Sequence, residues 1–569
     1  MATSTTAQPQ SFRETVESIV VAIVLAFLFR TFIGEAFVIP TGSMAPTLKG
    51  NHKDVECAKC GYAYQANASS ENDDLGRRPD QVVATTCPIC RYSMPLDLKE
   101  NPNHKSFTGD RILVSKFSYD LQEPQRWDVI VFKYPNNAKQ NYIKRLVGLP
   151  GETLRIRHGD VFIRGAGESD FRIARKPPHK LLAMLQLVDD TRHLSTDLAG
   201  AKWPSRWQPW SASGAAGEWR EAALDKVPIE ISSPEGERWL RYRHLVPDYL
   251  DWLDLEANRP LEAPQPAEDT GELITDFYGY NAFATKSRVQ DRGPPQDIGP
   301  DDRSLGDHWV GDLAFEGNIE VIGSSGTLLL DLIEAGVHHR CRIDVATGVA
   351  ELSIERGSYG FTGPQGESVP QPPRATTALR GPGSYAVRFS NVDDELRLWV
   401  NDKLVEFDQP TTFVAPEEQQ PFWSESDAGD LAPVGLGVDG LTIKATGLRV
   451  LRDVYYIATD GSFLNNYNPD NDYPRGVGQN EIRTLLRSPH KWAASPVFAK
   501  RRALDFSLEE DQFFPMGDNS PQSKDGRLWG DPPYVHRSLM TGKAVMVYWP
   551  HAWNSPPSWP NFGAMRMIR

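Results

Sequence analysis

The sequence predicts a mainly β chain that is built from several domains. At 569 residues the chain is too long for one hydrophobic core, and two to four domains are expected. Short runs that mix β-branched and polar residues recur over 107–163, 306–452 and 454–569, and turn residues separate them. The 45 glycines and 44 prolines indicate long connections. The formal net charge of -14 argues against a general nucleic-acid binder, because a phosphate backbone favours basic surfaces.

The N-terminus combines a polar start with an apolar segment. Residues 1–15 are predicted to be disordered, and residues 16–35 are predicted to form a transmembrane anchor. The uncharged core at 19–29 is shorter than the about 20 residues that a spanning helix needs, so a cleavable signal peptide and a buried core helix remain alternatives. The sequence that begins at Arg30 lacks the small residues of a cleavage site, which favours an uncleaved anchor.

A serine lies on a glycine- and proline-containing stretch directly after this segment. Residues 37–48 read Phe-Val-Ile-Pro-Thr-Gly-Ser-Met-Ala-Pro-Thr-Leu. Gly42 permits a sharp backbone turn before Ser43, and Pro46 restricts the chain after it. A hydroxyl on such a turn can act as a nucleophile if a base reaches it. Taken alone, the composition is more typical of a structural loop.

Residues 51–104 are predicted to be an insert that resembles a zinc ribbon. They contain the pairs Cys57-Ala-Lys-Cys60 and Cys87-Pro-Ile-Cys90, which can supply four thiolates in a tetrahedron. The polar loop between the pairs is somewhat longer than usual. Two disulfides or four free thiols are the alternatives, and an oxidising compartment would favour disulfides. The spacing favours a closed structural zinc site.

A lysine interrupts an apolar strand pattern in the next part of the chain. Residues 141–152 read Asn-Tyr-Ile-Lys-Arg-Leu-Val-Gly-Leu-Pro-Gly-Glu, so Lys144 has apolar neighbours at Ile143, Leu146 and Val147. Most strand lysines lie at sheet edges or on surfaces. A lysine that its neighbours desolvate has a lowered pKa, however, and can act as a neutral base.

The middle of the chain is predicted to contain two inserted parts. Residues 166–305 are interpreted as an irregular insert or linker, rich in Pro, Asp and Gly toward its end. Residues 306–452 run apolar or alternate over strand lengths, which is typical of an antiparallel β-sandwich. This part resembles the lectin-like jelly rolls of laminin-G and concanavalin type, although it carries no clear sugar or metal motif.

The C-terminal part contains a Gly-Asp-Asn turn. Within 510–530, an apolar run leads into this turn, and a polar loop with Ser523, Asp525 and Arg527 follows. The chain therefore presents, in order, an apolar segment, a Gly-Ser-Met turn, a Lys-Arg pair in a strand, and Gly-Asp-Asn followed by Ser-x-Asp-x-Arg. This order of motifs resembles that of the bacterial type I signal peptidases, over roughly a third of the chain.

The resemblance implies a membrane-bound serine protease that removes signal peptides from exported proteins and needs no cofactor for its chemistry. Ser43 would be the nucleophile and Lys144 the general base. The positions implied for the oxyanion hole and for support of the dyad are Thr41, Ser523, Arg145, Asp518, Asp525 and Arg527. The walls of the pockets for small substrate residues would be Phe37, Ile39, Met44 and Ile143.

The implied fold is an antiparallel β protease core with an N-terminal transmembrane helix, an inserted zinc ribbon and an inserted lectin-like β-sandwich. The catalytic domain would be discontinuous, over 36–50, 105–165 and 453–569. The chain would pass once through the inner cell membrane, in contact with lipid, with its catalytic domain on the non-cytoplasmic side. Gly526 departs from the family pattern, which often has a serine there. The large insert between about 165 and 450 exceeds the usual family size.

An alternative function belongs to another class. The chain could be a membrane-tethered protein that binds an envelope glycan or protein through the β-sandwich, on a degenerate protease scaffold. Loss of either Ser43 or Lys144 would favour that function, but both residues are present. The acidic balance argues against nucleic acid as a partner of the zinc-ribbon-like part.

Overall fold

The protein is mainly β, as the sequence predicts. A computed structural model describes the chain over the ranges 10–28, 34–72, 79–210, 228–261, 270–292, 306–459, 471–550 and 562–569. Every strand pairing in this part of the chain is antiparallel, and the strands form six sheets.

Eight α-helices occur within the described ranges, and seven of them are short. They are α1 (Gln10–Leu28), α2 (Ser118–Leu121), α3 (Pro178–Met184), α4 (Thr196–Gly200), α5 (Tyr249–Glu256), α6 (Lys286–Arg292), α7 (Gln479–Leu486) and α8 (Pro489–Trp492). None of these helices has both the length and the apolar character that crossing a membrane requires.

The N-terminal segment differs from its prediction in two respects. Residues 10–15 were predicted to be disordered but belong to α1, where Arg13 and Glu17 form an ion pair at 2.7 Å one helical turn apart. Residues 1–9 lie outside the described ranges. Of the predicted anchor at 16–35, residues 29–33 also lie outside them, and residues 34 and 35 already belong to the first strand.

The strands of the described ranges number 31. The first half, in chain order, consists of β1 (Gly34–Val38), β2 (His52–Glu56), β3 (Ala63–Asn67), β4 (Val82–Thr86), β5 (Ser93–Pro95), β6 (Arg111–Ser115), β7 (Val129–Tyr134), β8 (Asn137–Gly148), β9 (Glu152–Arg157), β10 (Asp160–Gly165), β11 (Arg172–Ile173), β12 (Gln186–Asp190), β13 (Trp207–Trp210), β14 (Ile229–Ser233), β15 (Arg238–Tyr242) and β16 (Phe283–Thr285). The second half consists of β17 (Leu313–Val321), β18 (Thr327–Glu334), β19 (Val337–Asp344), β20 (Val349–Glu355), β21 (Arg374–Thr376), β22 (Gly383–Asn391), β23 (Leu396–Val400), β24 (Lys403–Leu404), β25 (Val434–Asp439), β26 (Leu441–Arg452), β27 (Ala503–Ser507), β28 (Gln512–Met516), β29 (Val535–His536), β30 (Met540–Trp549) and β31 (Arg566–Met567).

An eight-stranded sheet unites three distant stretches of the chain. Its order is β1-β6-β30-β7-β8-β28-β29, and β31 pairs with β30. On β8, Lys144 lies opposite Ile130 of β7, and Arg145 lies opposite Met516 of β28. The turn after β1 packs its Met44 into the apolar cluster of this sheet. The sheet therefore brings the serine turn, the Lys-Arg pair and the Gly-Asp-Asn loop together.

A second, four-stranded sheet packs beside the first. Its order is β11-β10-β9-β27. Its buried side chains, such as Leu154 and Ile156, share one cluster with Trp127, Val147 and Phe514, which flank or belong to strands of the eight-stranded sheet. The two sheets are thus joined through a common core.

Two seven-stranded sheets occupy the middle of the chain. One has the order β12-β26-β17-β22-β23-β24 with β14 on β26, and the other has the order β13-β15-β25-β18-β19-β20-β21. One hydrophobic cluster contains Phe315 and Val450 of the first sheet together with Leu330 and Leu436 of the second. The sheets therefore face each other across a common core, and the lectin-like character of this part stays a prediction.

The irregular insert predicted over 166–305 contains regular strands. The structure pairs β12 and β14 with β26, and it pairs β13 with β15, so these segments belong to the two seven-stranded sheets. The buried side chains of Trp207, Ile231 and Leu240 complete the core between the sheets. These strands are only four or five residues long, and long-range pairing rather than a local pattern gives them their structure. Within 166–305, residues 211–227, 262–269 and 293–305 lie outside the described ranges.

Candidate active site

Ser43 lies on a buried 3-10 turn, Gly42–Met44, that follows β1. The Gly-Asp-Asn loop holds this turn from one side, because the backbone N–H of Asn519 donates to the carbonyl of Ser43 at 3.1 Å. A Cβ at Gly517 would overlap both that carbonyl oxygen and the Ser523 hydroxyl. Only glycine therefore permits this close approach of the loop to the turn.

Lys144 reaches Ser43 from β8. Its Nζ donates to Ser43 Oγ at 2.7 Å and to the carbonyl of Ile143 at 3.0 Å, and its side chain is 3% exposed. Burial lowers the pKa of Lys144 to about 8, although the charges of Asp525 and Asp518 oppose this shift. A lysine with such a pKa is partly neutral near neutral pH, and its neutral amine can accept the proton of the adjacent hydroxyl.

A fully buried ion pair at Arg145, the residue after Lys144, supports the serine turn. The guanidinium of Arg145 donates to both carboxylate oxygens of Asp518, at 2.6 and 2.7 Å, and both side chains are 0% exposed. Thr47, at the end of the serine stretch, donates to Asp518 and accepts from Arg145 at 3.0 Å. This network ties the serine stretch to β8 and to the Gly-Asp-Asn loop.

A second buried ion pair shapes the loop after Gly-Asp-Asn. The guanidinium of Arg527 donates to both oxygens of Asp525, at 2.9 and 2.8 Å. Asp525 also accepts from the backbone N–H of Gly517 at 2.9 Å. Burial alone would raise the pKa of Asp525, but Arg527 and this backbone hydrogen bond outweigh it and lower the pKa. The carboxylate is thus stably charged and organises the loop that contacts Ser43.

The other residues that the sequence predicts for the site are Ser523, Thr41 and the four pocket-wall residues, and each group has its own environment. The hydroxyl of Ser523, a position implied for support of Ser43 and Lys144, is buried and has no hydrogen-bond partner in the described part of the chain. Thr41 is half-buried at the start of the serine turn, and its side chain makes no capping hydrogen bond there. The predicted pocket walls all belong to or pack against one apolar cluster; these are Phe37, Ile39, Met44 and Ile143.

The sequence motifs assign no role to Thr47, Asn519, Tyr280 and Asn281, which also lie at the site. Thr47 lies within the serine stretch 37–48, and Asn519 is the last residue of the Gly-Asp-Asn turn, so both could have been found from those motifs. Tyr280 packs against Gly42, where a Cβ would overlap its ring. Asn281 pairs its side-chain amide with that of Asn519, at 2.7 and 2.8 Å. Asn281 is 238 residues away from Asn519 in the chain, so no local pattern could reveal the pair.

The four cysteines of the Cys-x-x-Cys pairs meet in one cluster. Their sulfur atoms all lie within 4.8 Å of one another, with Cys57 to Cys90 at 3.5 Å and Cys60 to Cys87 at 3.6 Å, and none forms a disulfide. Thiolates about 2.3 Å from a tetrahedral zinc ion are separated by about 3.8 Å. The donor set and its spacing fit a zinc ion.

A family model described as signal peptidase, peptidase S26, matches residues 12–71, 81–192 and 435–549. The match covers about half of the chain and includes Ser43, Lys144 and the loop around Asp525. Tyr280 and Asn281 lie in the unmatched stretch between 192 and 435.

Curated relatives are similar over parts of their length. The chain is 25% identical over 169 residues to the probable signal peptidase I-2 of Synechocystis sp., which covers 29% of this chain and 51% of the relative. It is 28% identical over 197 residues to signal peptidase I of Leptolyngbya laminosa. This alignment covers 32% of this chain and 68% of that relative. The chain spans about half or less of the length of the first curated relatives it matches.

A solved structure aligns with a quarter of the chain. The carbohydrate binding module CBM66 from Bacillus subtilis aligns over 25% of this chain and 74% of its own length, at 15% identity and a TM-score of 0.16. A TM-score this low carries no conclusion about the fold or the function of this chain.

Proposed function

Since this chain belongs to the signal peptidase family S26, we propose that it is a serine endopeptidase that removes N-terminal signal peptides from exported preproteins. The observation that carries the proposal is the buried hydrogen bond between Lys144 Nζ and Ser43 Oγ, at 2.7 Å. A serine hydroxyl needs an adjacent base to attack a peptide carbonyl at neutral pH. The lowered pKa of Lys144 supports that role for its amine.

The proposed reaction passes through an acyl-enzyme. Lys144 takes the proton of Ser43 as Oγ attacks the carbonyl carbon of the scissile bond, and it then gives a proton to the leaving amine. Lys144, neutral again, then takes a proton from a water molecule as this water attacks the ester carbonyl, and it returns the proton to Ser43 Oγ as the signal peptide leaves. The backbone N–H of Ser43 and the hydroxyl of Thr41 are the proposed donors to the oxyanion, and one such donor is worth about 3 kcal/mol in the transition state.

The proposed substrate carries small residues before the cleavage site. Ile39 and Met44 are buried in the apolar cluster of the eight-stranded sheet, with Phe37 and Ile143 packed against it. Large side chains at these positions leave shallow pockets, which accept alanine and exclude bulkier residues. An Ala-x-Ala sequence before the scissile bond is therefore the expected recognition element.

We expect Ser43→Ala to abolish cleavage of a synthetic signal peptide with an Ala-x-Ala site, because the variant lacks the attacking oxygen. Cleavage by the purified full chain in detergent is followed by mass spectrometry of the products. Ser507→Ala, which changes an exposed serine of β27, is the control and should cleave as the wild type does. A wild-type chain that is folded but leaves the peptide intact, or a Ser43→Ala variant that still cleaves it, would refute the proposal.

The cysteine cluster is proposed to hold one structural zinc ion. We expect about one zinc per purified chain by elemental mass spectrometry, and less than about a tenth of that in Cys87→Ser, because a closed structural site needs all four thiolates. Cys341→Ala is the matched control, since Cys341 lies buried in β19 outside the cluster. A wild-type chain purified without zinc would contradict the proposal.

The proposed location is the inner cell membrane, with the catalytic domain on the non-cytoplasmic side. The support is the apolar sequence at 16–35 together with family membership. The chain should remain in the membrane fraction after an alkaline carbonate wash, and its release by that wash would contradict anchoring.

A further inference from the structure

A 3-10 turn within the predicted insert at 166–305, Gly279–Asn281, lies directly against the serine turn and the Gly-Asp-Asn loop. We propose that Asn281 is a positioning residue for the reaction, which acts by fixing the side-chain amide of Asn519. This inference rests on the proposed function and adds to it a part of the chain that lies outside the family match.

The two amides form a closed pair of hydrogen bonds. Asn281 Nδ2 donates to Asn519 Oδ1 at 2.7 Å, and Asn519 Nδ2 donates to Asn281 Oδ1 at 2.8 Å. The second hydrogen of Asn519 Nδ2 is then directed to the carbonyl of Gly42, at 2.9 Å. The pair thus decides which end of the Asn519 amide faces the serine turn.

The carbonyl of Gly42 belongs to the peptide group that carries the N–H of Ser43. Because a peptide group is planar, the hydrogen bond to this carbonyl also sets the direction of that N–H. The Ser43 N–H is one of the two proposed oxyanion donors. The carbonyl also accepts from the N–H of Ala45 at 3.1 Å, within the turn itself. Asn519 supplies the contact from outside the turn, and Asn281 keeps Asn519 in place.

Because both asparagines are buried, a change in the orientation of the Asn519 side-chain amide would leave polar atoms without hydrogen bonds. Asn281 is 6% exposed and Asn519 is 1% exposed, so water has little access to replace lost hydrogen bonds. Without Asn281, the Asn519 amide would lose two partners and could rotate by half a turn, which would place its oxygen against the oxygen of Gly42. Such repulsion would move the oxyanion donor away from its productive direction.

Two further contacts hold the Asn281 turn in position. The ring of Tyr280 occupies the space in which Gly42 would carry a Cβ. Directly after the turn, β16 pairs with β4, with Ala284 opposite Ala84. The turn is therefore anchored to the cysteine-containing part of the chain and is packed against the serine turn at the same time.

The test compares kcat and KM of single variants in the full-length chain. We expect Asn281→Ala to lower kcat by about 10- to 100-fold and to change KM by less than about threefold, since misalignment affects the transition state more than binding. Asn281→Asp keeps the size of the side chain but cannot donate to Asn519 Oδ1, and we expect a similar loss of kcat. Gln290→Ala, an exposed carboxamide of α6 in the same segment, should leave both constants unchanged.

A double-variant cycle separates positioning from a merely structural effect. If Asn281 acts through Asn519, the combined Asn281→Ala and Asn519→Ala variant should be no slower than Asn519→Ala alone. Additive losses would overturn the inference, and so would a kcat of folded Asn281→Asp within about twofold of wild type. These outcomes differ from failure of the proposed function, in which the wild-type chain itself does not cleave the peptide.

Discussion

Lys144→Ala is expected to lower kcat for cleavage of an Ala-x-Ala signal peptide by about 10⁴-fold, the upper range for loss of a general base. The reason is that Nζ of Lys144 lies 2.7 Å from Ser43 Oγ, and no other amine of the described residues forms a hydrogen bond with that oxygen. The rate is measured by separation of the cleaved products, in detergent, on protein shown to be folded.

Two control variants distinguish the amine at Ser43 from a buried positive charge. Lys144→Arg keeps the charge but cannot give up a proton near neutral pH, so it should be as inactive as Lys144→Ala. Lys180 is a second lysine whose pKa burial lowers to about 8, and Lys180→Met should leave kcat unchanged because no contact joins it to Ser43. A Lys144→Ala variant within about tenfold of the wild-type kcat would contradict the assigned role.

Arg145→Leu is expected to lower the free energy of unfolding of the eight-stranded sheet by about 3–5 kcal/mol. The change leaves the carboxylate of Asp518 buried without its bidentate partner, and both side chains are 0% exposed in the wild type. Hydrogen exchange of the backbone amides of β8 and β28 measures this free energy locally, which avoids a two-state description of a multidomain chain.

A second Arg–Asp ion pair of the chain has the same bidentate geometry as Arg145–Asp518 but is partly exposed to solvent, so it serves as the control. Arg155 donates to both oxygens of Asp505 at 2.7 and 2.8 Å, but these side chains are 28% and 40% exposed. Arg155→Leu should therefore cost about 1 kcal/mol or less, measured at the amides of β9 and β27. If Arg145→Leu costs no more than Arg155→Leu, the buried pair does not support the serine turn as argued.

Short motifs predicted much of the candidate site because each motif keeps its residues within a few positions of one another. Ser43 follows a glycine that permits its turn. Lys144 and Arg145 are adjacent on β8, so their side chains point to opposite faces of the sheet. The structure brings Ser43 and Lys144 into hydrogen-bond contact and pairs Arg145 with Asp518. The mainly β class followed from the same local alternation.

Long-range contacts account for what the sequence did not reveal. Asn281 and Tyr280 reach the serine turn only because β16 pairs with a strand about 200 residues earlier, and nothing in their own neighbourhood indicates it. The strands β12–β15 were missed for the same reason, since they complete sheets whose other strands lie up to 266 residues away. Packing against distant partners, rather than local propensity, gives these segments their structure.

The dependence of kcat/KM on pH tests the central claim, that a desolvated Lys144 acts as the base. Its pKa is lowered by burial to about 8, and only the neutral amine can take the proton of Ser43. kcat/KM should therefore rise about tenfold per pH unit below pH 8 and level off above it. A profile that is flat or falls between about pH 6 and pH 9, or that still rises toward pH 10.5 as for an exposed lysine, would contradict the account.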